Sequence, residues 1–377
     1  MTDATETLTA PREGSARGLF IVDADSHNFP TLAELAVYMP ERWRDYLARF
    51  GLRTPGEQGV IRARWMASRT DAWSPSGKPP GADPAFFREQ LMDRYDVDVA
   101  ILNNIMASAQ MFIGGAAPQE FTNALMTAGN QWAVDKWLDD ERLYTSVMVP
   151  YEDGASAVAE LERWAGHERF VQVLLPFRTQ RPFGNRKYWD LIEAAVHHDM
   201  PLAFHPGNGA NAPVTGVGWS SFYYEEHTGL AHALMNQMAS LVCEGVFDRW
   251  PNLKIVFQEG GWSWVPSFAW RFDRAWRQLR EEVPHLQRKP SEYLRDHFWY
   301  TTQPVDEPTH PHQFEQALEV FGQTDRLLFS SDYPHWDFDS PDEIARILPE
   351  GIRAGVMGGN ALELYGKKLP APGSGRS

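Results

Sequence analysis

The residues with the greatest chemical capacity in this chain are carboxylates and imidazoles that fall in four short clusters. These are Asp23-Ala24-Asp25-Ser26-His27, Phe204-His205-Pro206, Gln258-Glu259-Gly260-Gly261 and Ser331-Asp332-Tyr333-Pro334-His335. Each follows an apolar run of strand length. Side chains at i, i+2 and i+4 of a strand share a face. Asp23, Asp25 and His27 are therefore expected to point the same way, towards one end of whatever those strands build. Any one of these residues alone reads as an ordinary hydrogen-bonded side chain. Four clusters at the same relative position read as donors from separate strands converging on one point, which is what a divalent metal site needs.

The elements that must position them are strands alternating with helices. The β-rich runs are Leu19–Asp25, Val97–Asn103, Leu143–Val149, Phe170–Leu175, Pro201–His205, Leu253–Gln258, Phe298–Thr302 and Arg326–Ser331. Several are continuously apolar, as expected of strands buried on both faces of a parallel sheet. Helical stretches lie between most of them, among them Tyr188–His198 and His227–Trp250. Another opens Ser340-Pro341-Asp342-Glu343, an N-cap with proline at N1 and glutamate at N3. Eight such strands predict an α/β chain folded as a (β/α)8 TIM barrel. The expected division is a disordered leader at 1–18, a metal-dependent barrel at 19–367 and a flexible tail at 368–377.

Two connections are too long for ordinary βα loops: the insertion 28–96 after the first strand, and Pro206–Glu226 after the fifth. Both leave the C-terminal ends of strands, the face on which barrel enzymes build their sites. The insertion carries Tyr38, Trp43, Trp65, Trp73, Phe86 and Phe87. That content suits either a lid over the barrel mouth or a contact between subunits of a homo- or hetero-oligomer.

Composition removes several function classes. With 35 Lys and Arg against 50 Asp and Glu, the net charge of −15 disfavours nucleic acid and anionic membrane surfaces as partners. No apolar run is long enough to span a bilayer, and the first residues lack the apolar core of a signal peptide. The single cysteine, Cys243, excludes an intrachain disulfide framework and fits a reducing, cytoplasmic setting. No Walker or Rossmann fingerprint follows a strand.

Over residues 19–366 the chain resembles the amidohydrolase-related family, in the branch that contains aminocarboxymuconate-semialdehyde decarboxylase. The resemblance rests on the four clusters above, on Phe204-His205-Pro206-Gly207, on the run Gly245 to Lys254, on Trp264-Val265-Pro266 and on Phe329-Ser330 leading into Ser331. It implies a barrel whose divalent metal is held by Asp25, His27, His205 and Asp332. Decarboxylases of that branch carry a His after the sixth strand, where this chain has Glu259. Dinuclear hydrolases of the wider superfamily bridge two ions with a modified Lys of the fourth strand, and Phe170–Leu175 contains no Lys.

His227, in Tyr224-Glu225-Glu226-His227-Thr228, is a further candidate donor, its alternative being a solvent-facing residue at a helix start. Asp25, His27, His205, His227, Glu259 and Asp332 together offer three imidazoles and three carboxylates. That balance suits non-haem iron, and two ions as readily as one. The chain is similar to members of a Glu-Gly-Gly subgroup that work as dinuclear non-haem iron oxygenases. The favoured expectation is accordingly a two-iron monooxygenase that hydroxylates a small organic acid or amine, with electrons from a separate reductase. The alternative is a mononuclear Zn- or Mn-dependent hydrolase or decarboxylase. Glu259 and His227 are the expected catalytic groups in addition to any role as ligands.

Overall fold

The computed structural model describes residues 16–51, 67–104, 118–206 and 215–373. Most of the expected leader, Trp65, the segment Gly207-Asn208-Gly209 and residues 374–377 lie outside the described residues. All eight expected strands are present: β1 (Val22–His27), β2 (Val99–Asn103), β3 (Leu143–Met148), β4 (Phe170–Pro176), β5 (Leu202–His205), β6 (Ile255–Phe257), β7 (Phe298–Thr301) and β8 (Leu327–Leu328). They form one parallel sheet in sequence order. β8 is only two residues long because the chain beyond it leaves the β7 ladder and turns to β1. Ala24 N donates to Phe329 O at 2.9 Å, Asp332 N to Asp25 O at 2.9 Å and His27 N to Tyr333 O at 2.7 Å. Those bonds close the seam, so the architecture is the expected (β/α)8 TIM barrel.

Helices fill the connections. Their apolar faces and the outward faces of the strands form one continuous core, with Phe170, Phe204, Phe257 and Phe298 against Leu191, Leu234, Leu241 and Tyr293. Burying each large side chain of this kind contributes about 1.5–3 kcal/mol. A second cluster lies inside the barrel, built from Val22, Ala24, Val99, Ile101, Val171, Ala203, Val256 and Leu328. The helix Asn360–Tyr365 closes that interior from below with Ala361, Leu364 and Tyr365. The Ser340 signal is realised: its hydroxyl caps Glu343 N and the Glu343 carboxylate returns the bond, opening the helix Pro341–Ile347. The helical stretch expected over His227–Trp250 is three helices, Tyr223–Thr228, Leu230–Cys243 and Val246–Arg249. Gly245, at φ +73°, turns the chain between the last two in a conformation that favours glycine.

One difference from the expected strand pattern matters for the site. Asp23, Asp25 and His27 do not all share a face. Val22 and Ala24 point into the barrel interior, and the β1–β2 register shifts between Asp23 and Ser26. A one-residue irregularity of this kind re-aims every side chain beyond it. Asp25 and His27 therefore turn to the interior above Ala24. Asp23 instead ties β1 to the chain after β8, accepting from Ser331 N at 2.9 Å and from the Ser331 hydroxyl at 2.5 Å.

The described part of the insertion lies against the mouth end of the barrel. Arg69 N donates to Pro334 O, Trp336 N to Ala67 O and Phe29 N to Gly81 O. Its helix Glu41–Phe50 has no fully buried residue. Among the described residues no helix is long and apolar enough to cross a membrane.

Candidate metal centre

Asp25, His27, His205 and Asp332 meet at the C-terminal ends of β1, β5 and β8. Their donor atoms all lie within 4.8 Å of one another, and all four residues are buried. His27 Nδ1 faces the Asn103 carbonyl at 3.0 Å, which leaves Nε2 towards Asp332 Oδ1 at 2.6 Å. His205 Nδ1 faces the Pro206 carbonyl at 2.9 Å, which leaves Nε2 towards Asp25 Oδ2 at 3.5 Å. Each imidazole thus gives its proton to a backbone carbonyl and turns a lone pair inward, the usual preparation of a ligand histidine. His205 Nε2 and Asp25 Oδ2 are buried and accept or donate no hydrogen bond. Orphaned polar atoms of that kind are costly unless something charged stands between them. Two imidazoles and two carboxylates are a suitable set for a borderline divalent ion, so the residues present fit the metal that the sequence implied.

The local electrostatics point the same way. Burial pushes the Asp25 carboxyl up to about 8, although the His27 charge opposes it. Burial and then the His27 charge push His205 well below its ordinary value, so it is a neutral donor. Burial would raise Asp332, but the neighbouring imidazoles of His335 and His27 outweigh it and hold its carboxyl well below the ordinary range. His335 Nδ1 lies 3.0–3.1 Å from both Asp332 oxygens, as expected of a residue that orients Asp332.

Glu259 lies beside this group, its Oε2 3.2 Å from His205 Nε2. Glu259 and Asp332 both adopt positive φ, at +51° and +58°. Such backbone costs about 1–3 kcal/mol per residue and concentrates at functional sites. After Glu259 the chain must pass Gly260, where a Cβ would sit 2.1 Å from Leu234 Cδ1, and Gly261 at φ +64°. This is the physical reason for two glycines behind that carboxylate.

His227 is in the mouth but in neither group of donors that could hold an ion. Glu259, Asp332 and His335 form the second such group among the described residues. His227 Nε2 is 3.0 Å from Asp337 Oδ2, and its Nδ1 is 3.9 Å from Glu259 Oε1. Burial alone would lower its pKa, but the hydrogen bond and charge of Asp337 more than offset burial and raise it. Gln303 Nε2 donates to the same Asp337 oxygen at 2.9 Å. Aromatic rings surround the opening: Trp336 and Tyr223 lie 5.5 and 5.6 Å from His227, and Phe29 lies 6.0 Å from His335. Sequence reasoning missed Asn103, Gln303 and Asp337. Asn103 and Gln303 stand at the ends of β2 and β7, where a strand-end scan that included amides would have found them. Nothing in its spacing marks Asp337.

A curated relative, gamma-resorcylate decarboxylase of Rhodococcus jostii (strain RHA1), is 23% identical over 305 residues, 74% of this chain and 86% of that protein. The crystal structure of an amidohydrolase from Mycobacterium avium subsp. paratuberculosis K-10 superposes with a TM-score of 0.70 at 20% identity, covering 93% of this chain and 100% of that one. That of 5-carboxyvanillate decarboxylase from Novosphingobium aromaticivorans DSM 12444, complexed with manganese and 4-hydroxy-3-methoxy-5-nitrobenzoic acid, gives 0.67 at 18% identity, covering 94% of this chain and 98% of that one. These relatives overturn the favoured expectation. They are decarboxylases or amidohydrolases, one with manganese, and they favour the alternative, a mononuclear metal-dependent hydrolase or decarboxylase, over the two-iron monooxygenase. The amidohydrolase family profile matches residues 22–367, almost the whole barrel, and the chain belongs to that family.

Proposed function

We propose that this chain is a decarboxylase that uses one divalent metal ion, manganese in the first instance, to release CO2 from a small aromatic acid. The observation that carries the reading is the paired arrangement at the mouth. Four inward-facing donors with two orphaned atoms stand beside an imidazole whose pKa a neighbouring carboxylate raises. The names of the relatives and the aromatic rim support the substrate class.

Held by Asp25, His27, His205 and Asp332, the ion would polarise a bound carboxylate or phenolate oxygen as a Lewis acid. The remaining work falls to the protein. Loss of CO2 from an aryl acid needs a proton on the ring carbon that bears the carboxylate. The C–C bond then breaks, and its electron pair restores the ring. His227 is the source of that proton, with Asp337 fixing its ring through Nε2 and Gln303 fixing Asp337. Glu259 faces Nδ1 and is the carboxylate through which the proton reaches the centre. The rings of Trp336, Tyr223 and Phe29 hold the substrate plane and exclude water.

The test is direct. The full chain loaded with Mn2+ should release CO2 from one or more hydroxylated benzoates and bind one ion per chain at saturation. Hydrolysis of an ester or amide without CO2 release, or two tightly bound ions per chain, would sink the reading. Glu259→Gln keeps shape and removes the charge. Metal content should be unchanged while turnover falls by about 10²-fold or more.

A further inference from the structure

Beneath the metal cluster the barrel interior is crossed by a chain of polar side chains in an otherwise apolar space. Tyr365 Oη donates to Gln172 Oε1 at 2.6 Å, and Gln172 Nε2 donates to Ser146 Oγ at 2.9 Å. Ser146 Oγ donates to Asn103 Oδ1 at 2.5 Å, and Asn103 Nδ2 donates to Asp25 Oδ1 at 2.7 Å. Every member is buried. The second hydrogen of the Asn103 amide goes to Gln258 Oε1 at 3.1 Å, and Gln258 Nε2 goes to Ala24 O at 2.8 Å. The Asn103 carbonyl in turn takes His27 Nδ1.

The sense of these bonds is the informative feature. All four steps donate towards Asp25, whose Oδ1 accepts the last of them. Reversing the Asn103 amide would set its oxygen against the carboxylate and break the step to Ser146. The Gln172 amide is fixed in the same way by the phenol on one side and the Ser146 hydroxyl on the other. Hydrogen bonds aligned in one direction polarise each other, and the effect is strongest where water is absent. Asp25 Oδ1 is thereby held, and Oδ2, the orphaned atom, is the one left facing His205.

We propose that Tyr365, Gln172, Ser146 and Asn103 are positioning residues of the metal centre, so that the C-terminal helix Asn360–Tyr365 is energetically coupled to metal occupancy. The proposal rests on Asp25 being a ligand, as in the function proposed above. Coupling is reciprocal. If the helix steadies Asp25 for the ion, the ion steadies the helix.

The experiment titrates the full-length chain with Mn2+ alone and records the Co2+-substituted absorption spectrum. Asn103→Leu should weaken Mn2+ binding by about 10–100-fold, the usual cost of removing a partner of a ligand. Tyr365→Phe keeps the ring and the packing and removes one hydroxyl. It should weaken binding by a smaller factor and perturb the Co2+ spectrum. Thr145→Val is the control: it removes an equally buried hydroxyl, bonded to Leu102 O and outside the line. It should cost stability and leave Mn2+ affinity unchanged. Amide exchange in residues 360–365 should slow on Mn2+ addition in the wild type and respond less in Tyr365→Phe. Wild-type affinity and spectrum in Tyr365→Phe overturn the proposal, as does an equal loss in Thr145→Val. Asp25→Asn separates the two readings. If it loses Mn2+ while Tyr365→Phe does not, only the line fails. If it keeps Mn2+, the ligand assignment fails and takes the line with it.

Discussion

The donors proposed to hold the metal and the groups proposed to handle protons stand on different supports. His27 and His205 are the closing residues of β1 and β5, Asp25 lies two residues before the end of β1, and the chain carrying Asp332 is bonded directly to β1. His227 stands on the short helix Tyr223–Thr228, beyond a connection that is only partly described, and Asp337 sits in the loop after β8. The first set is held by the barrel itself. The second is held mainly by its own side-chain bonds, His227 to Asp337 and Asp337 to Gln303. A rigid support suits ligands, whose geometry must hold within fractions of an ångström. A looser one suits a group that must approach a substrate and withdraw. Substitutions in the two regions should therefore fail differently, the first by losing the ion and the second by losing rate with the ion in place.

The largest expected effect is on the strand-borne side. His205→Ala removes a donor whose Nε2 makes no hydrogen bond and faces the carboxylates of Asp25 and Glu259. The variant should lose metal and drop turnover by about 10³-fold or more, since Lewis-acid assistance is worth several kcal/mol. Circular dichroism should report an intact barrel, because the β5 backbone ladder does not depend on that ring. Full metal occupancy in the folded variant would end the comparison. A smaller effect is expected at His227 and Asp337. His227→Gln should retain metal and lose about 10²–10⁴-fold in kcat, the range for a displaced general acid. Loss of metal there would place His227 among the ligands and erase the distinction between the regions.

The same division explains what could be read from the sequence. Strand ends are visible because an apolar run of fixed length ends in a polar residue, so all eight strands and the four clusters were legible, while the choice of Asp25, His27, His205 and Asp332 among them came from the family resemblance. The direction of Asp23 was not. It depends on a one-residue shift against β2, a pairing property that β1 does not carry in its own pattern. The partner of His227 was not legible either, since the bond to Asp337 joins a short helix to a loop 110 residues further along the chain. The line from Tyr365 to Asp25 joins residues of β2, β3, β4 and the last helix, and only closure of the barrel brings them together. Local pattern reports local structure, and what the fold assembles from distant segments stays hidden until the strands are paired.

The smallest and most discriminating prediction concerns pH. Burial acts to lower the His227 pKa, while the hydrogen bond and charge of Asp337 act to raise it, and the second influence wins. In the wild type the imidazolium therefore persists to higher pH than an ordinary histidine, and activity should decline as pH rises through that elevated value. Asp337→Asn keeps the shape and removes the charge. Burial then dominates, the pKa falls, and the alkaline limb of kcat/KM should move to lower pH while metal content stays at one ion per chain. Stability follows the same sign. A group whose pKa is raised by folding adds stability that is fully present below its unfolded value and is lost as pH rises through the folded one. The variant should thus be less stable than the wild type at acid pH, and the gap in Tm should narrow as pH rises. An unmoved alkaline limb would mean that His227 is not the acid. A limb that moves with equal loss of metal would mean that the His227–Asp337 pair and the strand-borne groups act as one unit.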